Sequence, residues 1–100
     1  MEANYSNARA QFFAAVRALS ISPESLQMRL TEASESVSAV TIDEFAADIE
    51  LKIKFARILD LFAADRDEID VISVETAAHM SDAEAITLAA LICDFFYELI

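Results

Sequence analysis

One hundred residues, 56% apolar and 25% charged, are enough for one hydrophobic core, too few for two, and too rich in core formers for disorder. A formal net charge of −11 disfavours any role that tracks phosphate and favours partners with basic surfaces. Zero glycines, with Pro23 the one proline, exclude a Gly-rich phosphate loop, a dinucleotide fingerprint and a G-x-S-x-G nucleophile elbow.

Without glycine to supply positive φ, the chain reads as helices joined by short turns: an all-α compact bundle of four to five helices in a single domain. A first helix is expected from about Asn4 to Leu19, with Tyr5, Ala8, Phe12, Val16 and Leu19 on its buried face and Phe13 widening it. Ser22 before Pro23 marks the start of a second, since serine caps a helix and proline sits comfortably in the first turn. That helix turns Leu26, Leu30, Ala33 and Val37 inward and should fray by about Val40, where Ser34, Ser36 and Ser38 compete for backbone hydrogen bonds.

Thr41 with Glu44 is a capping box and opens what reads as the longest helix, about Ile42 to Ala64. Two stripes are expected on it: Phe45, Ile49, Ile53, Ala56 and Leu59, and beside them Leu51, Phe55, Ile58 and Phe62. Asp48 with Lys52 and Glu50 with Lys54 stand in the favourable acid-first order on its exposed side. The stretch that follows, ADRDEIDVISVETAAHM, predicts a short helix over about 65–80: its β-branched residues suit a strand, but no partner strand is apparent.

Asp82 to Ile100 is the organising element. Ser81 with Glu84 caps it; Ile86, Ala89, Cys93, Phe96 and Ile100 line one side and Leu88, Ile92, Phe95 and Leu99 the next, so a central core helix is expected. Leu91 interrupts the polar strip of Glu84, Thr87, Asp94 and Glu98 and, with the aromatic run Phe95, Phe96 and Tyr97, suggests a homodimer contact. The longest apolar run, Leu88 to Cys93, is far short of the ~20 residues a membrane span needs. A single cysteine and no secretory pattern at the N-terminus predict a reducing, cytoplasmic setting.

No catalytic constellation is visible, so no enzyme activity and no cofactor are expected. Cys93 reads as a small core hydrophobe and His79 as a surface or helix-end residue. Asp65 and Asp67 imitate the start of a calcium loop, but Ile69, Asp70 and Thr76 stand where an oxygen ligand, glycine and glutamate are required, so no metal is expected. Lys52, Lys54 and Arg57, the one basic cluster, are intermixed with acids and cannot track a phosphate backbone, which argues against direct nucleic-acid binding.

Charge is the functional signal. Met1 to Arg57 holds eight acids and six bases, a net of −2, whereas Ile58 to Ile100 holds ten acids and only Arg66, a net of −9. The acidic residues Asp65, Asp67, Glu68, Asp70, Glu75, Asp82 and Glu84 form the candidate binding surface, suited to an arginine- and lysine-rich protein or ribonucleoprotein complex. The alternative is a solvated face that keeps the chain soluble.

In overall character, a glycine-free helical chain with an acidic half such as DLFAADRDEIDVISVE resembles the small phage-encoded anti-CRISPR proteins. The resemblance covers the whole chain but rests on no motif, so it transfers no functional residue. It implies an inhibitor that occupies the basic nucleic-acid channel of an RNA-guided effector complex in a bacterial host cell. Bacterial immunity proteins and antitoxins that cover a nuclease share this character, and a homo-oligomeric helical scaffold is the other alternative.

Overall fold

A computed structural model of the chain describes residues 5–62 and 80–100. Four α-helices stand among them: α1 (Ser6–Ile21), α2 (Leu26–Ser38), α3 (Ile49–Phe62) and α4 (Asp82–Leu99), with one 3₁₀ turn (Ile42–Phe45) between α2 and α3. The expected short helix over 65–80 falls, except for Met80, outside the described residues.

The fold is the all-α bundle that the composition implies, and α4 packs against α1, α2 and α3. At the centre lie Phe12 of α1, Phe45 of the 3₁₀ turn, Phe55 of α3 and Phe95 of α4, each at most 2% exposed. The Phe12 and Phe95 rings lie 4.8 Å apart, Phe45 and Phe55 5.2 Å, and Phe45 and Phe95 5.3 Å, separations at which tilted and edge-on rings attract beyond their burial. Around this cluster Leu30, Ala33 and Val37 of α2 and Ile58 and Phe62 of α3 complete the core.

The helix boundaries follow local hydrogen bonding. Helix α1 begins two residues later than the apolar spacing suggests, because Tyr5 takes φ 47° as its N-cap. That left-handed conformation is uncommon outside glycine; here the Tyr5 ring packs on Phe45 at 5.5 Å, and its carbonyl accepts the Arg9 N–H. The start of α2 is corrected from Pro23 to Leu26: Ser25, not Ser22, is the N-cap, its hydroxyl accepting from the Met28 N–H. The end agrees with expectation, with Ala39 as C-cap, and Ser34 is buried with its hydroxyl donating to the Thr31 carbonyl.

The single long helix expected over 42–64 is two elements. Glu44 completes the capping arrangement, its carboxylate accepting from the Thr41 N–H, but what it opens is the 3₁₀ turn. Asp48 then caps a new helix, its Oδ1 accepting from the N–H groups of Glu50 and Leu51. Asn7 of α1 fixes the turn from outside, donating to the Ala39 carbonyl and to the Glu44 carboxylate. On an unbroken helix Phe45 and Phe55 would point roughly 80° apart; the break lets both reach the core fully buried. It also turns Ile49 and Ile53, expected in the buried stripe, out to solvent, while Leu51, Phe55, Ile58, Leu59 and Phe62 face inward.

Helix α4 buries one of its two apolar stripes. Ala85, Leu88, Ile92, Phe95 and Leu99 form the core face, and Ser81 and Glu84 close the expected capping box. The other stripe is mostly exposed: Ile86, Cys93 and Ile100 face solvent, and Ala89 and Phe96 are half-buried. Cys93 is therefore an exposed thiol rather than a core hydrophobe. Along that stripe Phe13 of α1 meets Phe96, their rings 5.9 Å apart, while Ile86, Cys93 and Ile100 stay exposed.

Candidate functional site

Of the seven acidic residues the sequence singles out, Asp65, Asp67, Glu68, Asp70 and Glu75 lie outside the described residues. Asp82 and Glu84 are both exposed in the first turn of α4, where the helix dipole favours carboxylates. Each also has a structural partner. Asp82 Oδ1 accepts from Gln27 Nε2 at 2.7 Å, and the same amide donates to the Met80 carbonyl, tying the start of α4 to the first turn of α2. Glu84 Oε1 accepts from the Ser81 N–H at 3.1 Å and from its hydroxyl at 2.9 Å. These bonds, the backbone one first, hold the Glu84 carboxyl below the ordinary glutamate pKa, so it stays ionised well into mild acid.

The tie through Gln27 places Asp82 beside the first turn of α2, and that helix adds acids the sequence reading missed. Glu24, Glu32 and Glu35 are all exposed on or just before α2. On the helix Glu35 lies about 80° round from Gln27 and Glu32 about 140°, while Glu24 precedes the N-cap Ser25. These acids fell in the half of the chain whose net charge is only −2, and a count along the chain does not see two helices brought together.

Arg29, the base on α2, turns its guanidinium inward along the chain: Nε donates to the Glu24 carbonyl at 3.0 Å and Nη1 to the Leu19 carbonyl at 2.8 Å. The remaining described bases lie elsewhere. Arg17 sits over the Phe13 ring of α1, 5.9 Å from its centroid, in cation–π geometry. Lys54 and Arg57 line a groove of about 270 Å³ between α3 and α4, floored by Ile58, Leu91 and Phe95 and rimmed on the other side by Asp94 and Glu98. Lys54 Nζ meets Glu98 Oε1 at 2.6 Å, and this bond is the main reason its ammonium is held above the ordinary lysine pKa. The acid-first pairing expected within α3 thus gives way to a contact between helices. Leu91 is half-buried in this groove between α3 and α4, beside Asp94 and Glu98 of its polar strip, which are themselves exposed.

Exposed acids thus stand on α2 and at the start of α4, while Lys54 and Arg57 line a groove already furnished with carboxylates. No described helix is long and apolar enough to cross a membrane. No protein-family model matches the chain, and neither a curated protein nor a solved structure shows significant similarity to it.

Proposed function

We propose that this protein is a non-catalytic inhibitor that seats an acidic face on the basic nucleic-acid-handling surface of another protein or ribonucleoprotein and denies that surface to nucleic acid. The observation that carries the reading is the Gln27 hydrogen bond that sets Asp82 beside the first turn of α2, a helix whose Glu32 and Glu35 are exposed, with Glu24 just before it, while Arg29 is turned toward backbone carbonyls. The sequence supplies the second support: residues 65–75, which precede Met80 and α4 in the chain, carry five further acids.

A CRISPR effector complex is the class of target the resemblance implies. Such complexes hold nucleic acid in a positively charged channel through contacts to its backbone, and carboxylates spaced along a rigid helix can take the place of phosphates. Attraction of this kind steers encounter, speeds association and weakens as salt rises. A nuclease covered by an immunity protein or antitoxin would present the same chemistry, and the captured partner distinguishes the two. The setting is the cytoplasm of a bacterial host cell, and no cofactor takes part.

The test is capture of partners from a bacterial lysate on the immobilised protein, beside a Glu32→Lys, Glu35→Lys, Asp82→Lys variant of unchanged helical content. The wild type should retain nucleic-acid-handling proteins or complexes with basic surfaces, released by moderate salt, and the variant should lose them. Undiminished capture by the variant, with the same salt dependence, would show that this face is not the binding surface.

A further inference from the structure

Helix α4 carries a second heptad pattern one residue out of phase with its buried one. Ile86, Cys93 and Ile100 recur every seven residues, and the pairs Ala89–Ala90 and Phe96–Tyr97 fill the positions between them, the 3.5-residue period of a helix-pairing seam. The buried repeat of Ala85, Leu88, Ile92, Phe95 and Leu99 is already used by the bundle, whereas this one faces out: Ile86 is 61% exposed, Tyr97 76% and Ile100 74%. Phe13 of α1, 51% exposed and 5.9 Å from the Phe96 ring, widens the same patch.

The seam is complementary to itself in one orientation. Reversing it about Cys93 sets Ile86 against Ile100, Ala89 against Tyr97 and Ala90 against Phe96, so each bulky ring meets an alanine. A parallel pairing would set rings against rings and alanines against alanines, leaving gaps between them. Self-complementarity about a point is what a two-fold, isologous contact requires. Phe13, Ile86, Tyr97 and Ile100 alone present roughly 500 Å², which with Ala89, Ala90, Cys93 and Phe96 approaches the ~800 Å² per partner of a standard interface.

We propose that the occupant of this face is a second copy of the chain, with α4 packed antiparallel to its counterpart about a two-fold axis passing beside Cys93. The contact is apolar and rests on none of Glu32, Glu35 or Asp82, although Asp82 lies one turn beyond its Ile86 end, and its tests read self-association rather than capture of a basic partner. It also relocates the expected homodimer contact from Leu91, which packs toward α3, to the opposite flank of the same helix. Because each copy bears a formal charge of −11, association works against mutual repulsion and should tighten as salt rises, the reverse of binding to a basic partner.

Sedimentation velocity at micromolar to hundred-micromolar concentration tests it. The wild type should sediment as a dimer of twice the 11.0 kDa chain, and Ala90→Glu, at an exposed position, should weaken association at least tenfold with unchanged helical content. Tyr97→Glu, also at an exposed position, should do the same. Mild oxidation should join Cys93 to its own copy; it is run at alkaline pH because burial, with Asp94 second, holds the thiol above its ordinary pKa. Ile86→Cys in a Cys93→Ser background should not cross-link to itself, since antiparallel pairing separates the two copies of residue 86 by about 21 Å. A wild type that stays monomeric, a dimer unaffected by both glutamates, or ready cross-linking through residue 86 would each overturn the proposal.

Discussion

Phe55 and Ile53 lie two residues apart on α3, and sequence periodicity assigns both to buried stripes; the structure separates them. Phe55 is 0% exposed, with the Phe45, Phe12 and Phe95 rings 5.2, 6.0 and 6.0 Å away, whereas Ile53 is 62% exposed. Truncating Phe55 to alanine removes a fully buried ring and leaves a cavity at the centre of the bundle, a loss of about 3–5 kcal/mol. A domain of this size has a total stability of ~5–15 kcal/mol, so Phe55→Ala should be barely folded. Phe55→Leu keeps most of the apolar volume but forfeits the ring contacts and should lose about 1–2 kcal/mol. Ile53→Ala should change stability by less than about 0.5 kcal/mol, because little burial is lost and alanine is the better helix former. Urea unfolding followed by circular dichroism, at one protein concentration for all variants, reads these differences directly. Equal losses for Phe55→Ala and Ile53→Ala would refute the assignment of the buried face of α3.

Four further outcomes follow from the caps and the ion pair. Ser81→Ala should cost about 1 kcal/mol and speed amide exchange in the first turn of α4, since its hydroxyl accepts the Glu84 N–H. The Glu84 carboxyl has a lowered folded-state pKa, so its contribution is present above the ordinary value of 4.5 and is lost as pH falls through the lower folded value; the stability gap between wild type and Glu84→Gln should close over that range. Asp48→Ala should cost about 1 kcal/mol and fray α3 at Ile49–Leu51, which exchange measured by NMR would show. Lys54→Met should leave stability unchanged near neutral pH, the Lys54–Glu98 pair being 48% and 38% exposed; with its pKa raised, any contribution of Lys54 is present below 10.5 and disappears as pH rises through the higher folded value.

Much of the fold is legible in the sequence because it depends on local chemistry. The absence of glycine, the Ser81–Glu84 box and the apolar spacing of Leu88, Ile92, Phe95 and Leu99 depend on residues within a turn or two of one another, and the structure agrees with each. The errors arise where tertiary contact decides. Thr41 with Glu44 announces a helix start but cannot say that Asp48 will cap a second one, nor that Asn7, more than thirty residues away, will hold the first as a 3₁₀ turn. On α4 two stripes of similar hydrophobicity compete for the core, and the aromatic cluster around Phe12 and Phe45 selects the one containing Phe95, which leaves Cys93 outside. Of the candidate site, Asp82 and Glu84 were visible as acids, but the face they join was not. Asp82 stands beside α2, which carries the exposed Glu32 and Glu35, only because Gln27 brings two distant segments together.

The central claim, that the acidic face displaces nucleic acid from a basic partner, is tested most directly by competition. Once a partner has been captured and purified, a fluorescently labelled nucleic acid bound to it is titrated with the protein and followed by anisotropy. The wild type should give stoichiometric displacement, weaker at higher salt and abolished in the Glu32→Lys, Glu35→Lys, Asp82→Lys variant. Simultaneous binding of nucleic acid and protein, with anisotropy rising rather than falling, would contradict it.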